Sequence, residues 1–328
     1  MLAAQWPVRK GGLMTRRDSA ALILFALLAI TPPVLEAMGQ GFFASVVTRM
    51  MIYAIAALSL DLILGYGALV SFGHAAFLGI GAYAVLVLNS MGITEIALQF
   101  AAAALAAAVF AAITGTIALR TRGVYFIMIT LAFGQMLYFF LISLSVFGGD
   151  DGASLPARST IAGQGWLDHD LALFYLVLGI LVLCFWALSR LTASRFGRVL
   201  IGTREDGLRM QAIGFRILPY QLTAYVISAV ICSVAGVLLA NQLEYVSPQL
   251  ASWQRSGELI IMVVLGGIGS LTGAVAGALF TIGLEEGMAR FSEHWKLYFG
   301  LLLLAVVLFS PGGLATLAAR ITGKGRPE

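Results

Sequence analysis

The stretch DLALFYLVLGILVLCFWALSR (170–190), running straight into LTASRFGRVLIGTREDGLRMQAIGFR (191–216), decides the fold class. Between Asp170 and Arg190 there is no charged residue. A helix of about 20 apolar residues is as long as the hydrocarbon core of a bilayer is thick. At Arg190 the character changes abruptly. Arg190, Arg195, Arg198, Arg204, Arg209 and Arg216 follow, against Glu205 and Asp206. An apolar run that ends in a basic loop reads as a membrane helix leaving on the cytoplasmic side.

The same texture extends along the chain. Of its 328 residues, 60% are hydrophobic and 11% are charged. A soluble domain carries roughly 25% charged residues. Soluble enzyme, nucleic-acid binder and disordered tail are therefore excluded, and the chain reads as an all-α polytopic membrane protein. Apolar runs predict spans near 20–38, 43–65, 68–88, 95–118, 123–147, 170–190, 220–240, 257–268, 271–290 and 297–312, about ten in all. The eighth is too short to cross alone and reads as a half-helix or re-entrant piece, which only a protein interior tolerates. Cys184 and Cys232 sit in apolar runs and read as packing residues. Arg9, Lys10, Arg16 and Arg17 precede the first run, no A-x-A-like site follows, and Pro32–Pro33 ends it, so an uncleaved first span is expected.

Alternating spans put both termini, the 118–123 turn and the 190–216 segment on one side. That side holds 15 of the 20 Lys and Arg residues and is expected to be cytoplasmic. The opposite loop, 148–170, has Asp150, Asp151, Asp168 and Asp170 against Arg158. The expected organisation is a cytoplasmic tail (1–19), one transmembrane domain (20–312) containing a cytoplasmic segment (191–219), and a second cytoplasmic tail (313–328). Arg49 falls within the second span, where snorkelling is its simplest account.

Within 191–219, Thr203 reads as a helix N-cap, and Asp206 completes a capping-box pattern. Gly214 suits the C′ position, so a short helix is predicted near 204–213. Two turns are marginal alone in water. This helix must dock on its own protein, on lipid headgroups or on a partner. Gly269, Gly273 and Gly277 predict a close-packing ridge on one helix face. The turns around Gly65/Gly67/Leu69 and Gly267/Gly269/Leu271 both read G-x-G-x-L, which hints at an internal duplication.

Few residues inside the spans carry chemistry. Asp61 is ionisable within an apolar run and must face a cavity, a partner or the interface. His74 is the histidine that falls within a span, expected to bond a backbone carbonyl or Ser71. Glu258 opens the short eighth helix, where a carboxylate suits the helix dipole. No His, Cys, Asp or Glu set has metal-ligand spacing. No GxxxxGK[ST] occurs either; GKGRP (323–327) lacks the first glycine and the Ser/Thr.

Five blocks carry a resemblance: LILGYGALVSFGHAAFLGIGAY (62–83), YFIMITLAFGQ (125–135), FGGDDG (147–152), GRVLIGTREDGLRMQAIGF (197–215) with AYVISAVICSVAGVLLA (224–240), and GELIIMVVLGGIGSLTGAVAGALF (257–280). They resemble, in order, the blocks of the branched-chain amino-acid (Leu/Ile/Val-type) ABC-importer permeases. Asp61 stands where that family often has Asn, and Gln135 where an acidic residue is common.

The resemblance implies a type II ABC-importer-like permease of about ten helices, with room for an internal inverted repeat. It would lie in the bacterial inner membrane. It would pair with a second related permease subunit, a heterodimer first and a homodimer as the alternative. Two cytoplasmic ATPases binding ATP and Mg, and a periplasmic solute-binding protein, would complete the complex. No cofactor is expected in this chain, and membrane lipid surrounds it. Thr203, Arg204, Glu205, Asp206, Leu208, Arg209, Ala212 and Gly214 would form the ATPase-coupling segment. Asp61, Ser71, His74, Tyr83, Thr130, Gln135 and Glu258 would be candidates for the translocation pathway. The solute would be a branched-chain amino acid, or else urea, an amide or an aromatic acid. An ion-coupled secondary transporter needs more intramembrane carboxylates than Asp61, and an intramembrane enzyme needs a clustered nucleophile and base.

Overall fold

The computed structural model describes residues 16–37, 41–289, 297, 298, 300 and 301. Before the acidic loop come α1 (Arg16–Ala37), α2 (Gly41–Leu64), α3 (Ala75–Ser90), α4 (Ile96–Ala118) and α5 (Val124–Ser143). After it come α6 (Asp170–Ala193), α7 (Arg195–Glu205), α8 (Gly207–Ala212), α9 (Ile217–Leu243), α10 (Trp253–Gly266) and α11 (Leu271–Ala289). Among the described residues, α2, α4, α5, α6 and α9 are long and apolar enough to cross a membrane. The α10–α11 pair is bent by 120° and counts as one broken or re-entrant span. The expected tenth span at 297–312 and the C-terminal tail fall almost wholly outside the described residues, as does most of the N-terminal tail.

Two long helices form the centre. In α2, 83% of the apolar stretch is buried and in α9 61%, against 28% in α4 and α6 and 22% in α5. The central helices pack through small residues, which let backbones approach. A Cβ at Gly81 would overlap the Ser233 carbonyl, and one at Gly236 would overlap the Leu78 carbonyl. α3 is thereby locked against α9.

The third span departs from its expected bounds of 68–88. Helix begins only at Ala75, and residues 65–74 are turns and extended chain. Three glycines, Gly65, Gly67 and Gly73, make helix unfavourable there. The chain instead folds back, with the Gly67 and Leu69 N–H groups both donating to the Ile63 carbonyl (3.2 and 2.9 Å). His74 Nε2 lies 2.9 Å from Ser59 Oγ, and the Cys232 thiol lies 3.7 Å from the His74 carbonyl. So α3 starts level with Ser59 and the middle of α9, not level with the end of α2. The non-helical chain climbs through the protein interior, the one place where such backbone survives in a membrane.

The eighth element also differs from its prediction. α10 starts at Trp253 rather than 257, because Ser252 Oγ accepts the Arg255 N–H (3.4 Å) and caps it. The Ala75 N–H donates to Ser256 Oγ (3.0 Å), so α3 and α10 begin at about the same depth. From there they run in opposite directions. α3 leads to Asn89, whose side chain donates to the Ala157 carbonyl in the acidic loop (3.0 Å). α10 leads to Gly269, beside Asp61 near the other end of α2. On the acidic side, β1 (Ala153–Ser154) and β2 (Tyr245–Val246) pair antiparallel, with Ala153 opposite Val246, and join the loop to the end of α9.

Candidate functional site

The basic segment folds as an elbow of two helices, not one. Ser194 caps α7, its Oγ accepting the Gly197 N–H (3.4 Å). That earlier cap corrects the expectation for Thr203, which lies inside α7 and donates its hydroxyl to the Leu200 carbonyl (2.7 Å). The capping of the second helix passes to Asp206, whose Oδ1 accepts the Arg209 N–H (3.0 Å). α8 ends at Gly214, which adopts φ +98°, a left-handed backbone natural to glycine. The Gly214 N–H donates to the Gln211 carbonyl (2.9 Å) and the Phe215 N–H to the Met210 carbonyl (3.0 Å), the Schellman pairing.

The elbow is anchored on one face and open on the other. Gly197, Val199, Leu200 and Thr203 are buried. Phe196 and Phe215 stack on Tyr220 of α9, with ring centroids 5.7 and 6.3 Å apart. Glu205, Arg209, Ala212 and Gly214 face solvent, and so do the apolar side chains of Leu208 (70% exposed) and Ile213 (66%). Among the described residues nothing shields these two large aliphatic side chains, one on α8 and one at its C-cap.

Beneath the elbow lies a junction that is buried at Asp61 and Gly65 and open to the surface at Arg204. The Arg204 guanidinium donates to the Gly65 carbonyl at the end of α2. Asp61 Oδ1, on the preceding turn, accepts the Gly269 N–H (2.8 Å) from the turn joining α10 to α11. A Cβ at Gly65 would overlap Asp61 Oδ1 and lie 2.5 Å from the Gly269 nitrogen. The two G-x-G-x-L turns therefore touch. Gly269 has φ +78° and precedes α11, so it is not on the helical ridge expected of it. Gly273 and Gly277 do pack backbone to backbone, against Gly266 and against the Met262 carbonyl of α10.

A second charged group lies at the opposite end of α2. Arg49 pairs with Glu286 of α11 (2.6 Å), so it is bonded rather than snorkelling. Arg255 pairs with Glu258 (2.5 Å) and sits over the Tyr53 ring (5.6 Å). Glu258 is thus an ion-pair partner in the second turn of α10, not the residue that opens it.

Of the expected pathway residues, Thr130 lies against the break just before α3, beside His74, and Asp61 lies at the α10–α11 turn. Asp61, Ser71, His74, Tyr83 and Thr130 are all buried, but at different depths. His74 bonds Ser59, not Ser71 or a carbonyl. Thr130 donates to its own helix at the Ile127 carbonyl (3.0 Å), and its carbonyl packs against Gly73. Gln135 is half-buried on α5. Among the described residues no group of His, Cys, Asp and Glu could hold a metal ion. The Arg204–Gly65 and Arg49–Glu286 contacts were not legible in advance, since each joins residues far apart in sequence.

Helices broken inside the core, set among five long apolar ones, define an integral membrane protein of the kind that carries solutes. The family described as "Branched-chain amino acid transport system / permease component" matches residues 42–310, and the chain belongs to it. The chain is 28% identical over 323 residues to the high-affinity branched-chain amino acid transport system permease protein LivM of Escherichia coli K12, covering 92% of this chain and 75% of that one. It is 29% identical over 297 residues to LivH of the same organism (84% and 92%). It is 27% identical over 165 residues to the autoinducer 2 import system permease protein LsrC of Photorhabdus luminescens (48% and 46%). No solved structure matches.

Proposed function

We propose that this chain is the transmembrane permease subunit of an ATP-driven importer, in which α7–α8 receives the ATPases. The carrying observation is the elbow: capped at both helices, anchored by aromatic rings to α9, and presenting Leu208 and Ile213 outward. Exposed aliphatics on a self-supported helix suit a protein partner better than water. In this reading ATP and Mg stay on two partner ATPases, and the chain performs no covalent chemistry. A second related permease completes the membrane pore, as the similarity to both LivM and LivH supports. A periplasmic binding protein delivers the solute.

The solute we favour is a branched-chain or related hydrophobic amino acid. The partial likeness to an autoinducer 2 permease keeps a different small solute as the second reading. The elbow and the termini would lie in the cytoplasm of a bacterium, with 20–312 as one domain of about ten spans. The α2–break–α3 and α9–break–α10 units, each a long helix followed by a half-helix, fit an inverted repeat.

The test is reconstitution with a pair of partner ATPases, a sister permease and a binding protein. Leucine uptake into proteoliposomes should require ATP and the binding protein. Replacing Leu208 and Ile213 together by Asp should weaken ATPase co-purification by about tenfold or more. Uptake driven by a proton or sodium gradient without ATPases would overturn the reading.

A further inference from the structure

Asp61 is, among the described residues, the only Asp, Glu, Lys or Arg fully buried in the protein. Two roles are open to such a carboxylate in a permease. It can line the path and meet solute or ions, or it can hold backbone in place. The contacts favour the second. Asp61 is 0% exposed, and its bonded oxygen is directed at the Gly269 N–H, in a turn whose left-handed backbone is already specified. An oxygen accepting a backbone N–H in a buried site makes a directional bond that is costly to break. Gly65 leaves no room for a Cβ beside Oδ1, and the second oxygen, Oδ2, is buried without a hydrogen-bond partner. The carbonyl of that same glycine takes the Arg204 guanidinium. Leu200, one turn earlier on α7, packs by Gly67: a Cβ there would be 3.6 Å from its Cδ1. Three stretches of chain distant in sequence, the end of α2, the α10–α11 turn and α7, thus share one junction.

We infer that Asp61 is a positioning residue, a hydrogen-bond acceptor that makes the α10–α11 turn follow the elbow through Gly65 and Arg204. What it supplies is an acceptor atom, not a charge. The inference rests on the reading of α7–α8 as the ATPase contact. When α7 shifts, Arg204 moves the end of α2, and the Asp61–Gly269 bond carries the α10–α11 turn with it.

The experiment uses the full complex in proteoliposomes, with ATP hydrolysis measured with and without loaded binding protein, and uptake in parallel. Asp61→Asn keeps an acceptor of the same shape and should hold uptake per ATP within about twofold of the parent. Asp61→Leu removes the acceptor at similar volume and should lower uptake per ATP about tenfold. Arg204→Met leaves the Asp61 bond intact and should lower the same ratio, which keeps the test informative if Asp61→Leu does not assemble. Asp61→Asn as damaged as Asp61→Leu would show that the charge matters and overturn the inference. Full coupling in Asp61→Leu or in Arg204→Met would overturn it too. In all these cases the parent complex still imports, so the proposed function survives. A parent complex without ATP-driven uptake would sink both.

Discussion

Near its Leu64 end, α2 holds the α10–α11 turn through a fully buried carboxylate on a backbone N–H. Near its Gly41 end, it holds the far end of α11 through Arg49 and Glu286, both partly open to solvent. The first tie is short, backbone-directed and hemmed in by glycine. The second joins two long side chains with rotatable stems. A buried hydrogen bond to a fixed N–H tolerates little displacement, because a broken partner is left without water. A half-exposed ion pair can stretch, rotate or exchange for water at small cost. The same two elements are therefore pinned at one end and tethered at the other.

The sharpest way to break this contrast is to add a side chain at each end. Gly65→Val places carbon atoms where Asp61 Oδ1 and the Gly269 nitrogen already are. Overpacking a filled site of this kind costs about 3 kcal/mol. Heating in detergent followed by size exclusion should show the variant lost from the folded peak well below the parent. At the tethered end, a Cβ on Gly287 meets nothing within 4 Å. Gly287→Ala should melt with the parent or slightly above it, since alanine favours helix by about 0.5–1 kcal/mol. Equal damage at both positions would remove the distinction between pin and tether.

A smaller effect is expected at the turn itself. Gly269 at φ +78° sits where an L side chain is disfavoured by about 1–2 kcal/mol. Gly269→Ala should lower stability by that amount in the same melting assay. It should also reduce uptake more than an equal loss elsewhere, because the turn is tied through Asp61 and Gly65 to the elbow. A Gly269→Ala protein that is less stable yet transports normally would make the turn scaffold only.

Much of this architecture was legible in the sequence, and the exceptions have physical reasons. The sixth span, expected over 170–190, is helix over Asp170–Ala193, since an uninterrupted apolar run admits few alternatives in a bilayer. The third span was placed too early because Ala68, Leu69 and Val70 are as apolar as any helix. Hydropathy does not distinguish buried non-helical chain from helix; the signal that does is the glycines at 65, 67 and 73, which the span bounds of 68–88 leave unused. At the elbow the T-x-x-D pattern was present, but Ser194 had already started a helix, so Thr203 was absorbed and Asp206 took over the capping. The G-x-x-x-G-x-x-x-G spacing assumed one continuous helix, whereas α11 starts two residues after its first glycine. The junction itself left no local trace, since Arg204 and Gly65 stand 139 residues apart.

The smallest expected effect lies in the tether, and it needs a double-mutant cycle to be seen. Arg49→Gln removes the cation and shortens the side chain, so the contact to Glu286 is lost. Glu286→Gln removes the anion. The side chains are 30% and 24% exposed, so neither partner is fully buried in the protein. This puts the pair near the surface limit, about 1 kcal/mol or less, rather than the 3–5 kcal/mol lost when a fully buried pair is broken. Each single variant should melt within a few degrees of the parent. The double variant should lose no more than either alone, since the second change removes a group already without its partner. Uptake should be nearly unchanged, because a tether that gives does not transmit motion. A coupling energy above about 3 kcal/mol would mean that this end of α2 is pinned as well.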